Sequence, residues 1–116
     1  MTAVDRSNAR HYRWGEVCDG WHLLERDDLS VIEERVPAGA SEVRHSHRRS
    51  RQFFYILEGA AVLELAGVRH VLGPGQGLEI PPAAPHLFRN DSDAQVRFLV
   101  ISMPTTRGDR EDAPAA

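Results

Sequence analysis

The 116-residue chain contains no lysine; all fourteen of its basic residues are arginine. Schiff-base chemistry and the lysine of a phosphate-binding loop are thereby excluded. Cysteine is nearly absent as well. Cys18 stands alone, so the chain can form neither an intrachain disulfide nor a thiolate zinc cluster, and with no histidine at a nucleophile-motif spacing this thiol reads as a core or surface residue. Long apolar runs are missing, and none approaches the roughly 18 residues of a membrane span. The opening stretch MTAVDRSNARHYRWGE lacks the apolar core of a secretory signal, so the expected location is cytoplasmic. An excess of positive charge is missing too. Fourteen basic against 17 acidic residues leave a net charge of −3, which offers no footprint for nucleic acid. Histidine, carboxylate, amide and metal remain as the means of any chemistry, and there are six histidines.

What is present is an all-β rhythm. From Gly20 onward the chain breaks into short runs rich in Val, Ile, Leu and Phe, separated by Gly, Pro or Asp. The runs cover 21–25, 30–36, 42–47, 52–57, 61–65, 68–72, 78–80, 86–90 and 95–102. Turn-forming pairs and triplets lie between them, among them Asp27-Asp28, Ala66-Gly67, Gly73-Pro74-Gly75 and Pro81-Pro82. Nine short strands at this spacing predict a single-domain sandwich or barrel. Residues 1–15 read as a loosely ordered arm ahead of a barrel over residues 16–104, a stretch within the arm (6–14) alternatively forming a short helix or packing on a partner subunit. Residues 105–116 (TTRGDREDAPAA) read as a disordered tail, and neither end is expected to carry chemistry.

The segment Glu42-Val43-Arg44-His45-Ser46-His47 is the most informative. On a strand, His45 and His47 project from one face about 6.5–7 Å apart along the chain, so both imidazoles can reach one metal. After the arginine-rich turn, Gln52, Phe54 and Ile56 share a face by the same period. A third histidine, His86, opens a strand far downstream. The surrounding spacing is Gly39-x5-His45-x-His47-x4-Gln52-x6-Gly59, then fifteen residues, then Gly75-x5-Pro81-x-Ala83-x2-His86-x3-Asn90.

These two blocks resemble the paired motifs of a single-domain cupin: glycine, His-x-His, glutamate, glycine, and then glycine, proline, glycine, histidine, asparagine. The resemblance spans Gly39 to Asn90. It implies a small double-stranded β-helix (jelly-roll) barrel with a divalent transition metal (Zn, Ni, Fe, Mn or Cu) held by His45, His47, residue 52 and His86. Two positions depart from the pattern. Ala83 stands where the family has glycine, which restricts the turn backbone. Gln52 stands where the family has its glutamate ligand, and it either ligates through its amide oxygen or only hydrogen-bonds, in a site that then holds metal poorly or not at all. An amide cancels none of a divalent ion's charge, so direct ligation points to Lewis-acid work on anionic substrates and away from oxidised metal states. Small cupins that linearise unsaturated uronic sugars, and polyketide cyclases, are similar in this His/His/Gln/His set.

The resemblance thus implies an enzyme that isomerises, eliminates or cyclises a small oxygenated substrate. A metal-dependent dioxygenase and a non-catalytic ligand-binding barrel stay open as alternatives. Phe54 and Phe88, in register with Gln52 and His86, are the expected pocket walls. Arg51, in the Arg48-Arg49-Ser50-Arg51 turn, is a candidate for steering an anion, whereas Arg35, Arg44 and Arg97 lie on strands of undetermined face. No general base stands out from the motifs; Tyr55 and Glu79 are the candidates. Trp21 is expected at the pocket mouth or a dimer contact, and His11, His22 and His70 as ordinary polar or packing residues. Exposed barrel edges predict a homodimer.

Overall fold

The computed structural model describes residues 2–113. Every regular element among them is a strand: β1 (Arg10–Trp14), β2 (Cys18–Glu25), β3 (Ser30–Val36), β4 (His45–Ser46), β5 (Arg51–Glu58), β6 (Ala61–Leu65), β7 (Val68–Leu72), β8 (Gly77–Ile80), β9 (His86–Arg89), β10 (Val96–Met103) and β11 (Glu111–Asp112). They form two antiparallel sheets, a six-stranded one in the order β1-β2-β3-β10-β5-β8 and a five-stranded one in the order β11-β4-β9-β6-β7. No helix of the described residues is long and apolar enough to cross a membrane.

Period-two alternation builds the barrel. In β5 the even positions Gln52, Phe54 and Ile56 are buried while Arg51, Phe53 and Tyr55 are exposed. In β10 the same holds for Val96, Phe98, Val100 and Ser102. Phe54, Phe88 and Phe98 meet between the sheets, the Phe88 and Phe98 rings stacked with centroids 4.0 Å apart. Truncating such a ring to alanine costs about 3–5 kcal/mol. Phe54 also stands edge-on to His86 at 6.1 Å, so the core runs without a break into the histidine cluster. Asn90, wholly buried, donates from Nδ2 to the carbonyls of Val36 (3.0 Å) and Ala94 (2.8 Å) and accepts from Ser92 N–H. It therefore joins the end of β9 to that of β3.

Both chain ends differ from the expectation of loose arms. The stretch Arg10–Trp14 is a strand and not the short helix offered as an alternative; it pairs with β2, Tyr12 opposite Gly20, and Gly20 is in turn opposite Glu34 on β3. Gly20 is indispensable to that row, because a Cβ there would lie 2.2 Å from the Tyr12 ring. The bare glycine lets Tyr12 lie across β2 and donate its hydroxyl to Glu34 Oε2 at 2.9 Å. At the other end, β11 pairs with β4, and Asp109 is buried. The expected disordered tail is thus ordered through Ala113; residues 114–116 lie outside the described residues.

Candidate metal centre

His45 and His86 face each other across the β4–β9 ladder, and His47 follows two residues after His45 on the same face. One ring nitrogen from each of the three comes within 4.8 Å of the others, and all three are buried, so together they could hold a metal ion. Each Nδ1 is tied to a backbone carbonyl: His45 to Val43 at 2.7 Å, His47 to Asp109 at 2.9 Å and His86 to Ala84 at 3.0 Å. A carbonyl only accepts, so Nδ1 carries the hydrogen and each Nε2 keeps a free lone pair. Burial also lowers the pKa of all three imidazoles, His45 and His86 to about 4. They are neutral at physiological pH, the form in which imidazole ligates.

Gln52, on β5, is buried in the facing sheet. Its Nε2 donates to Ser102 Oγ at 3.2 Å, which orients the amide. Its Oε1 is buried with no hydrogen-bond partner, and so is His86 Nε2. A buried acceptor left unpaired costs about 1–3 kcal/mol. Two of them beside a histidine cluster fit a bound cation, which would satisfy both lone pairs at once.

A cavity of about 200 Å³ opens over this cluster, lined among others by His45, His47, Gln52, Phe54, Tyr12, Trp14, Glu34, Glu42 and Arg110. Glu34 and Glu42 are half-buried carboxyls whose desolvation raises their pKa to about 7 and about 8; the negative charge of Glu34 adds to the rise at Glu42. Arg110 is the guanidinium on the cavity wall, and its charge depresses the imidazoles and favours the Glu42 carboxylate.

The C-terminal segment supports the site. The Asp109 carboxylate accepts from the backbone N–H groups of Arg48, Arg49 and Ser50, each at 2.9 Å, and these bonds hold its pKa below the usual carboxylate range. They clamp the turn joining His47 to Gln52, while the Asp109 carbonyl holds the His47 ring.

Several expected residues lie elsewhere. Tyr55 and Glu79 point outward from β5 and β8 and do not reach the cavity, so neither is the general base. Arg51 shares that outer face, ion-paired with Glu79, and is not a pocket residue. Arg48 and Arg49 are exposed, and Arg48 pairs with Glu111 at 3.1 Å. Arg35 and Arg97 are also on the outer face, bound to Asp19 and to Glu33 and Glu58. Phe54 lines the cavity, whereas Phe88 sits behind it in the core. Trp21 packs on the exterior against His11 and Arg6. Cys18 is fully buried.

The residues that sequence reasoning missed are Tyr12, Glu34, Glu42, Asp109 and Arg110. One signal was readable: Glu34 shares a face with Ile32 and Val36 by period two. Nothing in the sequence marked the other four.

The family and the neighbours agree with this architecture. Residues 32–102, more than half of the chain, match the cupin domain, and the protein belongs to that family. Among curated proteins it is 38% identical over 60 residues to the polyketide synthase CurC of Streptomyces cyaneus, a match covering 52% of this chain and 39% of CurC. The chain spans between 39% and 60% of the length of the curated relatives it matches. Among solved structures, KdgF from Halomonas sp. superposes with a TM-score of 0.82 at 19% identity, covering 90% of this chain and 94% of that one. The polyketide cyclase RemF from Streptomyces resistomycificus gives 0.83 at 24% identity, covering 100% and 87%. At those identities the superpositions establish a shared fold.

Proposed function

We propose that this cupin is an enzyme that holds one divalent transition metal through His45, His47, His86 and Gln52 and isomerises, eliminates or cyclises a small anionic oxygenated substrate. The observation that carries the reading is the pair of buried, unpartnered acceptors, Gln52 Oε1 and His86 Nε2, beside imidazoles whose Nδ1 atoms are already engaged. When bound, such an ion supplies Lewis-acid polarisation of a substrate oxygen, and an all-neutral ligand set leaves its charge uncancelled.

The chain's own residues do the rest. Arg110 offers the cavity's guanidinium to a substrate carboxylate. Trp14, Ile32, Phe54 and Val100 form an apolar wall that limits water. KdgF and RemF share the fold, and RemF is a cyclase, which supports this class of chemistry over others the barrel can host. A second copy of the chain is the natural cover for Phe53, Tyr55 and Met103, exposed together on the outer face of the six-stranded sheet. Light scattering that shows only a monomer would remove that part of the reading.

The test is elemental analysis of the purified protein, followed by nuclear magnetic resonance of unsaturated uronic sugars and polyketone acids incubated with zinc-loaded and chelator-stripped protein. Stoichiometric metal with turnover and no oxygen uptake is expected. Iron with oxygen consumption would assign the protein to the dioxygenases instead.

A further inference from the structure

We infer that Glu34 is the proton-transfer group of the cavity and that Tyr12, reaching over Gly20, is its positioning residue. The inference rests on the proposed metal-centred reading for its chemistry but on independent geometry for its location.

That geometry is a row across three strands. Tyr12 on β1 is in register with Gly20 on β2, and Gly20 with Glu34 on β3. Gly20 has no side chain to block the path, and any Cβ would strike the Tyr12 ring. The Tyr12 hydroxyl donates to Glu34 Oε2 at 2.9 Å, leaving Oε1 for another partner. Both residues line the cavity that also contains His45, His47 and Gln52. By contrast, Glu42, the other carboxyl on that wall, accepts the Phe88 backbone N–H at 3.0 Å. Tyr12 lies outside residues 32–102 that match the family domain, and Glu34 lies within them.

The charged and titratable groups facing Glu34 are Tyr12 from β1, Cys18 from β2, and Glu42, His45, His47 and Arg110 across the cavity. Three histidines locked as Nδ1–H donors cannot take up a proton without breaking those bonds or surrendering Nε2. Tyr12 and Cys18 are pushed above their ordinary pKa by burial, the thiol to about 11, so neither is a base near neutrality. A carboxyl that changes charge near pH 7 is the group suited to both taking and returning a proton. In the step it performs, a substrate C–H or O–H bond breaks. The electron pair stays with the substrate, moving onto its carbonyl oxygen in the C–H case, and the proton goes to Glu34. Glu34 later gives the proton back at a different atom, so the carboxylate is regenerated and no external oxidant or reductant is involved.

Two measurements test this. The first uses metal-free protein carrying carbon-13 in the glutamate carboxyls, titrated by nuclear magnetic resonance. Two of the nine glutamates should change charge near neutrality. Glu34→Gln should erase one of those transitions, and Tyr12→Phe should move the same one to higher pH, because the lost hydroxyl had stabilised the carboxylate. Titration of every glutamate in the ordinary acidic range, or an unchanged pattern in Glu34→Gln, overturns the inference whether or not the protein binds metal. The second measurement uses zinc-loaded protein and acetohydroxamic acid as probe, with calorimetry in buffers of different ionisation enthalpy about one pH unit above the Glu34 transition. As the probe binds, its O–H proton should be retained by the wild-type protein and released to buffer, one per probe molecule, by Glu34→Gln. Equal release by both proteins overturns the inference. A protein that takes up no zinc refutes the metal reading alone, and the carboxyl titration then decides for Glu34.

Discussion

Raising the pH of the metal-free protein from about 6.5 to about 8.5 should lower its stability, the reverse of what paired carboxylates do. Glu34 and Glu42 titrate near 4.5 when exposed and near 7 and 8 in the fold, chiefly through desolvation. Between those limits the native state retains protons that the unfolded chain has released, so higher pH favours unfolding. The buried histidines act oppositely at lower pH. Their native pKa lies below 6.5, so the native state binds fewer protons there and stability climbs with pH until about 6.5. Above that the imidazoles are neutral in both states and the two carboxyls set the slope. At about 1.36 kcal/mol per unit, the window to about pH 8.5 corresponds to roughly 1 kcal/mol from Glu34 and roughly 2 kcal/mol from Glu42. Both are half-buried beside a cavity that solvent reaches. Screening about halves the sum, leaving a loss of ~1–1.5 kcal/mol. Urea unfolding at half-unit pH steps, with chelator present, reads this directly. The Glu34→Gln, Glu42→Gln double variant should flatten the curve above about pH 6.5. A wild-type curve that is flat or rising there, or a double variant with an undiminished slope, would show that these two carboxyls do not hold protons near neutrality.

Other predictions concern the ligands and their supports. His45→Ala combined with His86→Ala should abolish stoichiometric metal in elemental analysis, and full retention would displace the site. Gln52→Glu should bind zinc at least as tightly in competition with a chromophoric chelator yet bind acetohydroxamate more weakly, since the added carboxylate cancels charge that the probe would neutralise. Asp109→Ala should weaken zinc binding by about 10–100-fold, as loss of outer support does, whereas Arg51→Ala on the outer face should leave it unchanged; equal affinities for all three proteins would remove the supporting role. Ala83 has φ +68°, a region that costs a non-glycine residue about 1–2 kcal/mol. Ala83→Gly should therefore raise the unfolding free energy read from urea titration, by less than about 1 kcal/mol once the added flexibility of the unfolded chain is counted.

The strands that punctuation and apolar alternation marked, from Trp21 to Ser102, are present as elements, although the run 42–47 shortens to the two residues of β4, His45–Ser46, with His47 just past its end. The two that escaped, β1 and β11, have no such signal: RHYRW is polar at most positions and Glu111–Asp112 is a pair of acids. Both exist because a neighbouring edge supplies their hydrogen bonds. The histidine pair was legible for a simple reason, that a separation of two on a strand fixes a common face, and the spacing of the two motif blocks carried Gln52 and His86. Glu34 was harder. Glu33 and Glu34 are adjacent and only one can face inward, a choice made by the ladder to β10 and by the irregular β2 pairing around His22 and Leu24. Tyr55 and Glu79 failed by the same parity, since burying Gln52 obliges Tyr55 to point out. Arg110 and Asp109 depend on a return of the chain from far along the sequence, which local pattern does not encode.

The bond from His47 Nδ1 to the carbonyl of Asp109 joins positions 62 residues apart, and it makes the C-terminal segment 105–113 and the candidate metal site parts of one equilibrium. Whatever tightens the imidazole at Nε2 also favours the docked segment, and by reciprocity whatever frees that segment weakens the ion's hold to the same degree. Protease sensitivity at Arg107 and Arg110 is then a gauge of metal occupancy: trypsin should clip the tail of the stripped protein soonest and spare the loaded one. Anything that draws residues 105–113 away, a partner or a fused sequence, would act at a distance as a release mechanism for the ion.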